Sequence, residues 1–215
     1  MAMDRMNDSH RYYCIGGYFS PTNDAYGKVG LAPGKHRVEM CRLAMKDSTW
    51  IMVDPWEVLQ PSWVRTSIVL DHFDYFLNKN RPAELASYPK IRIMLLAGGD
   101  LIESFGTPNL WSSEDLEKIV GTYGCMIVER TCVDVKAFLL SHDILYKNKV
   151  LSTLLILQYI YNDINSTKIR LFIKRGMSIK YLLPDSVISY IMEHNLYQNS
   201  GTSTALPLTI KDANP

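Results

Sequence analysis

Tyr161–Arg175 reads YNDINSTKIRLFIKR and joins a polar turn to an amphipathic helical pattern. Residues 165–167 are asparagine, serine and threonine, which are favoured at helix starts. Apolar residues begin at Ile169, and Gly176 follows where a glycine commonly ends a helix. The pattern predicts a helix that begins near Ser166. Because a strand is predicted just before it, this turn is a strand-to-helix connection of the kind that builds α/β folds.

The predicted helix start also has the chemistry of an anion site. Free backbone N–H groups at a helix N-terminus carry partial positive charge, and Lys168 and Arg170 add two full charges beside them. The turn could therefore hold a polyphosphate. The same residues would equally suit a capped surface helix with solvated basic side chains, so the stretch alone leaves both interpretations open.

Elsewhere, short apolar segments alternate with helical patterns. Strands are predicted at residues 12–19, 50–53, 91–97, 125–128 and within 151–161. Helices are predicted at residues 36–45, 62–78, 116–123, 133–140 and 185–194. This alternation predicts an α/β fold with a parallel, doubly wound sheet. We expect one domain over residues 1–198 and a disordered tail over 199–215, where serine, threonine, proline and asparagine dominate.

Composition excludes several classes of protein. The 215 residues carry a net charge of +1, which gives no general attraction to nucleic acid or an anionic membrane. The apolar run of residues 150–160 is far shorter than the ~20 residues of a membrane-spanning helix. The four cysteines form no CxxC pair, and no histidine has metal-ligand spacing. We expect an intracellular protein of the nucleus or cytoplasm without a structural metal.

The words NDINSTKIR and RGMSIKYLLPD resemble the ISSTxxR signature region of nucleotidylyltransferases, and in particular of the eukaryotic nicotinamide-mononucleotide adenylyltransferases. The resemblance implies a Rossmann-like fold and transfer of AMP from ATP, with Mg²⁺, to nicotinamide or nicotinate mononucleotide, releasing pyrophosphate. It implies that Ser166, Thr167 and Arg170 bind the triphosphate, with Lys168 between them. Asn165 replaces the first serine of the signature.

Two further motifs extend this resemblance. Ser20–Leu31, SPTNDAYGKVGL, is similar to a family segment that implies Tyr26 and Lys28 lie close to both nucleotides. Lys28 and Arg170 are the expected catalytic residues. Leu95–Phe105, LLAGGDLIESF, is similar to LLCGxDLLxSF and implies that Gly98 and Asp100 contact the dinucleotide.

Two tryptophans are the expected nicotinamide site. By resemblance, Trp56 and Trp111 stack on the nicotinamide ring, and aromatic faces do attract a cationic pyridinium. Filling the core is the more common role of a tryptophan, so this alternative stays open without the family match. The resemblance adds four residues to the nicotinamide-nucleotide site: Leu59, Leu110, Arg130 and Asn162.

The opening of the family pattern is missing. The family begins with a strand followed by GSFNPxTxxHxRMFE, whose glycine turn and histidine hold ATP phosphates, and this sequence contains no such segment. We expect the resemblance to run from Met3 to Gln198, in an N-terminally truncated domain that lacks the first βα unit and turns over slowly. The alternative is a catalytically impaired isoform that binds dinucleotide or acts like a chaperone. Homo-oligomer formation is left open.

Overall fold

The structure is a computed structural model that describes residues 2–10, 12–81, 83–129, 135–156, 158, 160 and 162–198. The chain divides into two compact units. The first unit contains Met1–Gly27 and Pro33–Asp163, and the second contains Lys28–Ala32 and Ile164–Pro215. The predicted tail of residues 199–215 and Arg130 lie outside the described residues.

The first unit is an α/β structure with five short strands, as the sequence predicted. Its strands are β1 (Gly17–Phe19), β2 (Ile51–Val53), β3 (Leu95–Gly98), β4 (Cys125–Val128) and β5 (Thr153–Ile156). Its helices are α1 (Ala2–Asp8), α2 (Gly34–Ala44), α3 (Thr66–Asp74), α4 (Gly99–Glu103), α5 (Ser113–Leu116), α6 (Val135–Ser141) and α7 (Asp143–Ser152).

The strands form two parallel sheets rather than a single one. β1 pairs with β2, so that Gly17 lies opposite Ile51. The second sheet has the order β3-β4-β5, with Leu95 opposite Cys125 and Cys125 opposite Thr153. β4 is the central strand, and its first three residues are buried, which is why its sequence is continuously apolar.

The first unit has its main core around β4. Ile127, Ile119 and Val120 are completely buried there, and the ring of Phe105 packs into the same cluster. Burial also raises the pKa of the Cys125 thiol to about 12, so this cysteine is inert at neutral pH. The core is thus purely structural.

Some boundaries differ from the predictions for identifiable reasons. β3 begins at Leu95 instead of residue 91, because the side chain of Asn78 hydrogen-bonds both backbone groups of Ile91, at 2.8 Å each. The helix predicted from residue 62 begins at Thr66, after the extended Arg65. It continues beyond α3 as a π-helical turn, Tyr75–Lys79. Helix α7 was not predicted.

The second unit is helical. It contains α8 (Ser166–Lys174) and α9 (Asp185–Glu193), which bury their apolar faces through Ile169, Ile173 and Ile191 among others. The predicted start of α8 at Ser166 is confirmed. Its end is also as predicted, because Gly176 has φ +68° and lets the Met177 N–H donate to the Phe172 carbonyl at 2.9 Å.

Candidate functional site

The N-terminus of α8 is organised by a side-chain cap. Asn165 is extended, and its Oδ1 accepts a hydrogen bond from the Lys168 backbone N–H at 2.9 Å. Ser166, Thr167 and Lys168 follow in the first turn, and all three are exposed to solvent. Their hydroxyl and ammonium groups therefore lie at the end of the helix where its dipole favours an anion.

Arg170 completes this cluster. Its Nη2 donates to Thr167 Oγ1 at 3.3 Å, which holds the half-buried guanidinium toward the first turn of α8. A Cβ built on Gly30 would lie 3.8 Å from Arg170 Nε, so the segment Lys28–Ala32 passes beside this arginine. Gly30 has φ +80°, a conformation that favours glycine. The second unit thus brings Lys28's segment and the α8 start together.

In the first unit, the loop that carries Tyr26 is fixed to the turn after β2. Asn23 is buried, and its Nδ2 donates to the carbonyls of Val58 at 3.1 Å and Gln60 at 2.6 Å. The Ser20 hydroxyl donates to Glu57 Oε2 at 2.6 Å. Burial raises the pKa of Glu57, although the hydrogen bonds that it accepts act in the opposite direction.

The Tyr26 ring is exposed at the end of this loop and stacks on Trp63, with 6.4 Å between ring centroids and 26° between planes. Just before it, Asp24 accepts from the Gly34 N–H at 3.0 Å and pairs with Arg37 at 2.6 Å. These two contacts lower the pKa of Asp24. Arg37 thus has a structural contact at the start of α2.

Polar and aromatic contacts hold Trp56 in place. Its backbone N–H donates to Asp54 Oδ1 at 2.9 Å, and its indole stacks on the His72 ring at 4.2 Å with only 7° between the planes. Asp54 Oδ2 in turn lies 2.8 Å from His72 Nε2. Leu59, on the same turn, is 73% exposed. A shallow groove of about 450 Å³ runs beside Trp56 along α3.

Trp111 is anchored separately. Its Nε1 donates to Ser104 Oγ at 3.1 Å, and its ring meets Phe105 edge-on with centroids 4.9 Å apart. Leu110, beside it, is 59% exposed. Trp111 is half-buried, so it is neither a pure core residue nor a freely exposed platform.

The segment after Trp111 is attached to α3 through Asp115. The carboxylate of Asp115 is buried and accepts from Ser67 at 2.5 Å, Ser112 at 2.7 Å and Arg65 at 2.9 Å. Burial acts to raise its pKa, but these three donors outweigh burial and the pKa is lowered. The Ser112 hydroxyl also caps α5 by accepting from the Asp115 N–H at 3.1 Å.

The glycine turn after β3 has the expected geometry for close backbone approach. A Cβ on Gly98 would lie 2.6 Å from Asp100 Oδ1, so the carboxylate folds back over the glycine. Asp100 is exposed, as is Asn162, whose backbone N–H donates to the Gln158 side chain at 3.3 Å. Arg130, predicted to lie near the nicotinamide nucleotide, is outside the described residues.

Neither a metal cluster nor a membrane span is evident in the part of the chain that the structure describes. None of its groups of histidine, cysteine, aspartate or glutamate has three members placed to hold a metal ion. None of its helices is both long and apolar enough to cross a membrane.

The sequence did not predict the contacts that hold these site residues in place. Asp54 could have been found, since an aspartate that accepts from the N–H two residues later is a common turn motif in sequences such as DPW. Asn23 has the same local motif, since its Oδ1 accepts from the Ala25 N–H at 2.8 Å. His72, Glu57 and Trp63 had no comparable signal, because the partners described above lie on distant segments of the chain.

The sequence of this chain is similar to the sequences of known proteins. Residues 10–172 match the cytidylyltransferase-like family. The chain is 54% identical to nicotinamide/nicotinic acid mononucleotide adenylyltransferase 2 of Saccharomyces cerevisiae over 216 residues, 99% of this chain and 54% of that protein. It is 39% identical to nicotinamide/nicotinic acid mononucleotide adenylyltransferase 1 of Bos taurus over 232 residues, 93% of this chain and 82% of that protein.

A plant relative gives the same result. The chain is 40% identical to the nicotinamide/nicotinic acid mononucleotide adenylyltransferase of Arabidopsis thaliana over 197 residues, 92% of this chain and 81% of that protein. The chain spans about half the length of the two yeast relatives it matches. It therefore belongs to the cytidylyltransferase-like family, among the nicotinamide/nicotinic acid mononucleotide adenylyltransferases.

Proposed function

We propose that this chain transfers AMP from ATP to nicotinamide mononucleotide or its nicotinate analogue, as the names of its relatives state for them. The observation that carries the proposal is the start of α8. There Ser166 and Thr167 of the signature, and Lys168 after them, are exposed beside Arg170, at a helix N-terminus capped by Asn165. This combination of hydrogen-bond donors and positive charge suits a triphosphate.

In the proposed reaction, a phosphate oxygen of the mononucleotide attacks the α-phosphorus of ATP. The bond from that phosphorus to the oxygen bridging to the β-phosphate breaks, and pyrophosphate leaves with the electron pair. Phosphoryl and nucleotidyl transfers of this kind depend mainly on positioning and on charge stabilisation, with little covalent participation by the protein.

Lys28 and Arg170 are the residues to which we assign charge stabilisation. Both belong to the second unit, where the Lys28–Ala32 segment passes beside the Arg170 guanidinium. Ser166 and Thr167 would donate to phosphate oxygens through their hydroxyl and backbone N–H groups at the start of α8. We assign Gly98 and Asp100 to the dinucleotide as well, because the exposed Asp100 carboxylate lies over Gly98, where a Cβ would not fit.

For the mononucleotide, we assign Trp56 and Trp111 to the nicotinamide ring. Both are half-buried and anchored, which suits a rigid stacking surface better than either a core or a mobile surface position. Leu59 and Leu110 are exposed close in sequence to these tryptophans, and Asn162 is exposed after β5. With Tyr26 and Arg130 they complete the proposed site.

Mg²⁺ would arrive on the triphosphate of ATP. Mg²⁺ commonly takes substrate phosphates and water with only one or two protein carboxylates, and the described residues contain no larger group of ligands. The exposed carboxylate of Asp100 is one side chain that could face it.

Chromatographic detection of NAD tests the proposal. Purified chain at near-stoichiometric concentration is incubated with Mg²⁺, nicotinamide mononucleotide and either ATP or CTP. We expect NAD and pyrophosphate to appear in equal amounts with ATP and no dinucleotide with CTP. The nicotinate mononucleotide, run in parallel, distinguishes amide from acid preference. Absence of NAD over several hours, or equal use of CTP, would reject the proposed activity.

A further inference from the structure

We propose that His72 is a positioning residue: it fixes the plane of the Trp56 indole and thereby sets the affinity for the nicotinamide nucleotide. The inference rests on the proposed function, since it takes Trp56 as the stacking surface for nicotinamide. His72 lies on α3, which contributes none of the residues assigned to the site by the signature motifs.

The geometry is a closed set of three contacts. Asp54, directly after β2, uses one carboxylate oxygen to accept the Trp56 backbone N–H and the other to meet His72 Nε2, at 2.9 and 2.8 Å. His72 then stacks on the Trp56 indole at 4.2 Å and 7°. The Asp54 carboxylate thus positions the Trp56 backbone directly and the Trp56 ring through His72. The side chains of Asp54 and His72 are each 19% exposed.

The imidazole itself has little freedom. Phe73 meets it edge-on at 5.3 Å, and the Phe76 ring lies 6.4 Å from it at 19°. An ionised carboxylate only accepts hydrogen bonds, so His72 Nε2 is the donor in the contact with Asp54. This position requires a planar side chain with an N–H at its edge, and histidine provides both.

Covering one face of the indole has a functional consequence. A nicotinamide ring can use only the opposite face of Trp56, at the tilt that His72 imposes. Without the imidazole, the indole can change its side-chain torsions, and stacking on a cationic pyridinium then weakens because this attraction depends on face-on geometry. ATP, which carries no pyridinium, should not sense the change.

The experiment combines binding with a direct report on the ring. The protein is labelled with 5-fluorotryptophan. The Trp56→Phe variant then identifies the fluorine resonance of Trp56 among those of the 4 tryptophans. Calorimetry measures the affinities for nicotinamide mononucleotide and for ATP in His72→Ala and His72→Phe. The control is His194→Ala, which removes a different stacked histidine, 4.0 Å from Tyr190 in the second unit.

We expect His72→Ala to shift the Trp56 resonance and to weaken nicotinamide mononucleotide roughly 3- to 30-fold, with ATP affinity kept within about twofold. His72→Phe, which keeps a stacking ring but not the donor, should recover part of the affinity. His194→Ala should change neither quantity. An unmoved Trp56 resonance, an unchanged affinity for the mononucleotide, or equal losses for both ligands would overturn the role of His72.

Failure of the proposed function gives a different result. If the wild-type protein does not bind nicotinamide mononucleotide at all, the function assigned to Trp56 is wrong. The fluorine resonance then decides by itself whether His72 orients the indole, because that readout needs no ligand.

Discussion

Replacement of Arg170 by alanine tests the phosphate site at its most charged contact. The change removes a guanidinium that is oriented by Thr167 and lies beside Gly30, but it leaves the Asn165 cap in place. A charge-assisted hydrogen bond contributes ~1.5 to 3 kcal/mol, so ATP affinity should fall roughly 10- to 150-fold. The residue is half-buried near a helix start, and we expect the fold to survive.

The design separates binding from stability. Asn165→Ala removes the α8 cap, which should cost ~1 kcal/mol and lower the melting temperature by about 2 to 4 °C. Arg175→Ala is the matched control for charge, since it removes one positive charge at the opposite end of α8. Calorimetric titrations use ATP, inorganic tripolyphosphate and adenosine. Arg170→Ala should weaken ATP and tripolyphosphate by the same factor.

Two results would refute the reasoning. Equal losses of ATP affinity in Arg170→Ala and Arg175→Ala would mean that ATP responds only to net charge. Unchanged ATP binding in Arg170→Ala would leave a capped surface helix with solvated basic residues, the alternative that the sequence left open.

Three further substitutions test the remaining parts of the site. Trp111→Ala should weaken nicotinamide mononucleotide roughly 3- to 30-fold and ATP much less, by calorimetry, because only the former carries a pyridinium; equal losses would make Trp111 a core residue. Asp115→Asn should destabilise the fold by about 2 to 3 kcal/mol at pH 7. In thermal melts this difference should disappear as pH falls through the lowered pKa of Asp115, below its ordinary 3.8, since a depressed carboxyl pKa stabilises only while the group is ionised. Glu57→Gln should behave oppositely, because wild-type stability is lost as pH rises from the ordinary 4.5 through the raised pKa of Glu57. In thermal melts the variant should therefore gain on wild type as pH rises, and a difference that stays constant with pH would contradict this.

The sequence predicted local features well. The α8 start and its glycine end depend on residues within a few positions of one another, and both are present. The five strands were also predicted, because each is a short apolar run. The roles assigned to the site residues stay predictions, since they came from resemblance and no bound nucleotide reports on them.

Contacts between distant segments could not be predicted. The Asp115 carboxylate contacts Ser67, 48 residues away in sequence, and Arg65, 50 residues away. Neither of these segments has a composition that indicates contact with the other. The division of the strands into two sheets was missed for the same reason. Hydrophobic periodicity identifies a strand, but pairing depends on which edges meet in space.

Helix α3 contacts both tryptophan segments, although neither lies on it. At one end, Arg65 and Ser67 bind Asp115, which follows the Trp111 turn; further along, His72 binds Asp54 and stacks on Trp56. Positions 67 and 72 are five residues apart, or about 7.5 Å along a helix. Because a hydrogen-bonded helix keeps that distance nearly constant, α3 holds the two anchoring contacts at a fixed separation within the first unit. The proposed stacking of Trp56 and Trp111 on one nicotinamide ring requires the two side chains to keep a constant separation, and contacts to one helix supply it.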